Sequence, residues 1–84
     1  MGAFSLDMTQ LWAQTCDLLS AKMTKVTYDT WIKPLRPVAL DGDVFVLRAA
    51  TDFYKKNVVS RYAGTIEGAL AEAAGTVLHA KFLN

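Results

Sequence analysis

The sequence predicts an α+β fold in which two helices, a β-hairpin, a long helix and a closing strand build a three-stranded sheet packed against helices. Three observations carry the prediction. Apolar residues recur at three- and four-residue spacing after Asp7 and again between Thr51 and Gly75. Asp41-Gly42 lies between two short runs rich in β-branched residues. Val77 to Phe82 alternates, with Leu78, Ala80 and Phe82 on one face.

The first helix is expected at about 8–22. Asp7 can cap it, Gln10 stands where a capping box needs an amide or acid, and Leu6 and Leu11 occupy the hydrophobic-staple positions. Met8, Leu11, Thr15, Leu18, Leu19 and Lys22 follow its stripe, and Trp12 sits at the edge of that stripe, where partial exposure is expected. Thr24 can cap a short second helix whose apolar positions are Val26, Tyr28, Trp31 and Ile32. Pro34 disfavours helical geometry at Lys33 and should stop it there. Strands are expected at about 36–40 and 44–49, joined by a tight turn in which Gly42 takes the positive φ. Thr51 can cap the third helix, with Asp52 favourable near the positive end of its dipole. Val58, Val59, Tyr62, Ile66, Leu70 and Ala73 make its buried stripe and Gly75 ends it. A third strand closes the chain. No repeat, low-complexity run or internal boundary interrupts 1–84, so one domain is expected, with an ordered core at about 6–83.

Composition excludes several function classes. Half the residues are hydrophobic (52%), enough for a core. Net charge is +1, so no strong field points to nucleic acid or membrane. The lone Cys16 forms no internal disulfide and reads as a small core residue. Residues 1–10 lack the basic and apolar regions of a signal peptide, and no apolar run approaches the ~20 residues of a membrane span. A soluble, cytoplasmic protein is expected. One His and one Cys cannot build a metal site, no nucleophile-base arrangement is suggested, and neither phosphate-binding glycine motif is present. His79 reads as a solvated strand residue. The chain is therefore expected to be no enzyme and to carry no cofactor.

Phe53 stands out. At 100° per residue it lies about 180° from Tyr62 and about 140° from Val58 and Ile66, among Lys56, Asn57, Ser60, Gly64 and Glu67. An apolar residue on a polar face is a candidate binding anchor. The competing reading starts the helix later and tucks Phe53 under the hairpin. Trp31, in a helix too short to stand alone, is expected in the core. Lys55, Lys56 and Arg61 read as a solvated face, with weak phosphate contact as the other option.

Leu11-Trp12 followed by Leu18, Tyr28-Asp29-Thr30-Trp31-Ile32-Lys33-Pro34-Leu35, Asp41-Gly42-Asp43 with Phe45-Val46-Leu47, Ala50-Thr51-Asp52-Phe53 opening a helix through Ser60-Arg61-Tyr62, and a closing His79-Ala80-Lys81-Phe82 together resemble the N-terminal domain (domain I) of the bacterial replication initiator DnaA. The resemblance spans about residues 6–83. It implies a KH-like fold in the order α-α-β-β-α-β. It also implies an interaction domain that supports initiator self-association, recruits the replicative helicase and binds initiation regulators, with weak single-stranded DNA binding in some members. Trp12 matches the position tied to self-association. Phe53 matches the helicase or regulator anchor, with Thr51, Asp52 and Tyr54 beside it, and Thr27 and Thr30 are expected on exposed turns bordering it. Thr27 stands where some members carry an acid, a departure that counts against a charge-based helicase contact at that spot; Ala49-Ala50-Thr51, where members often have Ala-Pro-Asn, is a milder difference. Two alternatives stand beside this reading. One is a KH-like single-stranded nucleic-acid-binding module, against which Gly64 and Gly68 lie in a helix rather than a G-x-x-G loop. The other is a stand-alone regulator that competes with the initiator.

Overall fold

The computed structural model describes residues 7–84. Its elements are α1 (Met8–Lys22), α2 (Lys25–Thr27) continued by a π-helical turn (Tyr28–Ile32), β1 (Arg36–Asp41), β2 (Val44–Arg48), α3 (Asp52–Ala74) and β3 (His79–Leu83). This is the predicted α+β order.

The Asp7 carboxylate accepts the Gln10 N–H at 2.8 Å and so caps α1. Leu6, the expected staple partner, lies outside the described residues. Thr15 is fully buried in the apolar stripe, and its hydroxyl donates to the Leu11 carbonyl at 2.8 Å, so its burial leaves no orphan. Trp12 departs from expectation. It is only 7% exposed, with its ring 5.8 Å from that of Phe45. The sheet reaches under the edge of the stripe and covers it.

The Thr24 hydroxyl accepts the Thr27 N–H at 3.2 Å, as predicted for a cap. The helix then widens, and the Lys33 N–H bonds the Tyr28 carbonyl at 3.0 Å. A π turn inserts one extra residue, which shifts later side chains by about 100°. Val26 and Ile32, already about 120° apart in a regular helix, lie on different faces. Ile32 is buried, whereas Val26, expected to pack, is 75% exposed. The helix ends before Pro34, but Lys33 keeps helical angles (φ −55, ψ −38) because its hydrogen bond outweighs the preference set by the proline.

β1 and β2 pair antiparallel through a two-residue connection, Gly42-Asp43, with Gly42 at φ +61. The strands differ from expectation by one residue at each, ending at Asp41 and Arg48. The register slips between Pro37 and Ala39, so β1 carries a bulge beside a proline that cannot donate to a ladder. α3 is the crossover that lets β3 run parallel to β2, giving the order β1-β2-β3. β3 begins at His79, whose N–H bonds the Asp43 carbonyl at 2.7 Å, because β2 offers no partner for the expected first residue, Val77. On the outer edge of β3 the Glu67 carboxylate accepts the Ala80 N–H at 2.8 Å, which blunts an open strand edge.

The core fills one face of the sheet. Phe45, Leu47 and Phe82 meet Leu11, Trp12 and Leu19 of α1, Ile32 and Leu35, and Val58, Ile66 and Leu70 of α3. Val59, placed on the buried stripe by spacing, is exposed, because it lies a further ~100° around the helix from Val58 and clears both α1 and the sheet. Among the described residues no helix is long and apolar enough to cross a membrane.

Candidate functional site at the start of α3

Phe53 is 74% exposed in the first turn of α3. The helix therefore begins where the Thr51 cap places it, and the alternative that tucks Phe53 under the hairpin is excluded. Four contacts hold the turn that carries the exposed ring. The Thr51 hydroxyl accepts the Tyr54 N–H at 3.1 Å. The Thr51 carbonyl accepts the Lys55 N–H at 2.9 Å. The Asn57 side chain donates to the Phe53 carbonyl at 2.8 Å. The Asn84 amide donates to the Asp52 carboxylate, which ties the end of the chain to the same turn.

Tyr54, the next residue, points the other way. Its ring stacks on Trp31 with centroids 5.7 Å apart and planes 15° apart. Its hydroxyl donates to the Trp31 carbonyl. Trp31 is half-buried rather than fully in the core, held between Tyr54 and Tyr62, whose ring lies 6.3 Å away. Burial pushes the Tyr54 phenol up to about 12, against a smaller opposing pull from Arg36. The hydroxyl therefore stays a donor at any ordinary pH. Tyr54 works as a clamp between the π turn and α3 more than as an exposed contact.

The remaining sequence-predicted residues divide. Thr30 is exposed, as expected. Thr27 is not on an exposed turn: it is half-buried, and its hydroxyl accepts from Thr24 at 2.9 Å. Asp52 and Thr51 are exposed but occupied in capping and in the Asn84 contact. Lys55 is half-buried, Lys56 and Arg61 exposed, and at 100° per residue no two of the three lie closer than about 100° around the helix. They make no single basic stripe. Val26 is the exposed residue that the sequence reading missed: at 100° per residue it lies about 160°, 140° and 120° from Tyr28, Trp31 and Ile32, so regular spacing already sets it apart from the packed positions.

Two other candidates are settled by their surroundings. The His79 side chain is mostly exposed, with its ring nitrogen 4.0 Å from the Asp43 carboxylate. Cys16 is half-buried against the core, and burial pushes its thiol up, away from the reactive thiolate. Among the described residues, no three His, Cys, Asp or Glu side chains gather as a metal site would require.

The sequence profile described as the DnaA N-terminal domain matches residues 9–72, about three-quarters of the chain. The chain belongs to the DnaA N-terminal domain family. The match covers Trp12, the π turn, the hairpin and the whole Phe53 turn, and it stops within the last turn of α3. β3, with its contact from Glu67 and its pairing to β2, lies beyond it.

Proposed function

We propose that this DnaA N-terminal domain is a non-catalytic, cytoplasmic interaction module of a bacterial replication initiator, with Phe53 as its anchor for the replicative helicase or for initiation regulators. One observation supports the reading above all: a large apolar ring is exposed on a turn whose backbone and neighbours are fixed. A rigid aromatic on a fixed helix start loses little entropy when a partner covers it. Thr30, exposed next to the Trp31 that stacks on Tyr54, is the proposed rim. The contact is small, so affinity is modest and the domain acts by holding partners near the origin at high effective concentration. Other initiator copies are partners in the same scheme.

Amide NMR spectra of the labelled domain, recorded while the cognate replicative helicase is added, test this. Shifts or broadening centred on Thr30 and on Asp52 to Tyr54 are expected. A spectrum unchanged at high helicase concentration would sink the helicase role.

A further inference from the structure

The sheet has two outer edges, and they differ. β1 carries Pro37 and a bulge, both of which discourage pairing with a further strand. β3 carries neither. Its His79 N–H bonds the Asp43 carbonyl and its Leu83 carbonyl accepts the Ala49 N–H, so the backbone groups of His79, Lys81 and Leu83 turn toward β2. Those of Ala80 and Phe82 turn away from it. The Ala80 N–H donates to the Glu67 carboxylate at 2.8 Å. Among the described residues the Ala80 carbonyl and both backbone groups of Phe82 have no partner.

One flank of α3 runs beside this edge. Two contacts mark it: Asp52 meets Asn84 just past β3, and Glu67 meets Ala80. At 100° per residue Asp52, Lys56, Val59, Ala63 and Glu67 fall within about 80° of arc, so Val59 and Ala63 lie on the same flank between the two contacts. Val59 is 42% exposed and Ala63 is half-buried, so the three strands leave this part of the flank uncovered. An unpaired strand edge and an uncovered apolar flank border the same seat.

We infer that an extended segment of a partner protein, alternating apolar and acidic residues, adds to β3 as a fourth strand. Its backbone satisfies the three open groups, as strand addition to a free edge does. A residue opposite Phe82 shares that residue's face and meets Val59 and Ala63, so it is apolar. The residues on either side of it point to the other face, beside Lys81. Lys81 is exposed, as is Lys56 on the flank, and among the described residues neither has a carboxylate within salt-bridge distance. The two carboxylates that border the seat are engaged already, Glu67 by Ala80 and Asp52 by Asn84. Acidic residues opposite Lys81 therefore complete a cross-strand pair that the domain leaves open. Phe53 takes no part, since it lies about 80–120° around the helix from Val59 and Ala63.

A capped peptide of about seven residues, alternating aspartate and valine, is the probe. It is titrated into the labelled 84-residue chain and followed by amide NMR and hydrogen exchange. Shifts are expected from Lys81 to Leu83 and at Val59 and Ala63, with slowed exchange at the Phe82 amide. Val59→Asp should weaken binding by roughly tenfold or more, because it sets a carboxylate against the apolar side of an acidic strand. Lys81→Glu should weaken it about two- to fivefold, and exchanging aspartate for lysine in the peptide should then recover it. Phe53→Ala should leave peptide binding unchanged. The same peptide with proline at its centre should not bind, because it cannot complete the ladder. Binding that survives the proline, shifts centred away from β3, or no binding at millimolar peptide overturns the inference. So does binding lost in Phe53→Ala, which would assign the peptide to the Phe53 anchor. Shifts at Phe82 on concentrating the chain without peptide would hand the edge to a second copy and overturn it too.

Discussion

Trp12 and Phe53 are both large aromatics near the starts of long helices, and the fold treats them oppositely. Trp12 is 7% exposed and Phe53 is 74% exposed. The difference comes from what faces each helix. α1 packs against both α3 and the sheet, so residues just off its main stripe are also covered, and Phe45 closes over Trp12. In the first turn of α3 the inward direction is already filled by Tyr54 on Trp31, and Phe53, about 100° around the helix, is left exposed. A helix edge next to a second layer buries its aromatics. A first turn whose inward position is taken by the next residue presents them.

The largest expected effect breaks the comparison from the Trp12 side. Trp12→Ala should cost about 3–5 kcal/mol of stability, the range for removing a buried aromatic from a packed core. Urea unfolding followed by circular dichroism measures it. Stability within about 0.5 kcal/mol of the parent, the range of ordinary surface changes, would mean that Trp12 is a surface residue after all. Trp12→Phe keeps most of the packing. If that variant stays folded and loses self-association, the indole edge itself is the contact.

Phe53→Ala should do the reverse. The unfolding midpoint should barely move, while helicase binding weakens by over about 1 kcal/mol, roughly fivefold, in a titration monitored by NMR or calorimetry. A clear loss of stability would show that Phe53 packs on the domain.

Thr51→Ala sharpens the comparison, because it loosens the turn that carries Phe53 without touching the ring. Loss of the cap should cost about 1 kcal/mol. It should also raise hydrogen exchange at Tyr54, whose N–H the Thr51 hydroxyl accepts. Exchange that stays at the parent level would show that the Thr51 carbonyl, Asn57 and Asn84 hold the turn without the Thr51 hydroxyl.

Most of this architecture was legible because local signals agreed with the tertiary outcome. Asp7, Thr24 and Thr51 cap where their side-chain chemistry says they should, Gly42 and Gly75 take positive φ, and both long helices match the spacing of their apolar residues. Phe53 was legible as an outlier on its helical wheel, and the cap settled its exposure. What was not legible needed a neighbour to be known. Trp12 is buried by a strand more than thirty residues away in sequence. Val26 is the exception, because regular helical spacing already sets it about 120–160° from Tyr28, Trp31 and Ile32; only the π turn itself, which no residue between Tyr28 and Ile32 announces, was hidden. The open backbone groups on the outer edge of β3 appear only once its pairing with β2 is known.

The smallest expected effect concerns the clamp itself. Tyr54→Phe keeps the ring on Trp31 and removes only the hydroxyl that donates to the Trp31 carbonyl. The loss should be about 1 kcal/mol at neutral pH. The alkaline limb separates a hydroxyl that matters from one that does not. The folded-state phenol is held up at about 12, above its ordinary value of 10.0. Its contribution is therefore whole below the unfolded value and fades as pH rises from there through about 12, because the unfolded chain releases this proton first. Tyr28 is raised to about 12 as well, by burial and then by its hydrogen bond with Cys16, so the parent should lose stability over that window through both phenols. Tyr54→Phe should shallow the decline and Tyr28→Phe should shallow it further. An alkaline decline of unchanged steepness in Tyr54→Phe would mean that this hydroxyl titrates as it does in the unfolded chain, and the clamp between the π turn and α3 would then rest on ring stacking alone.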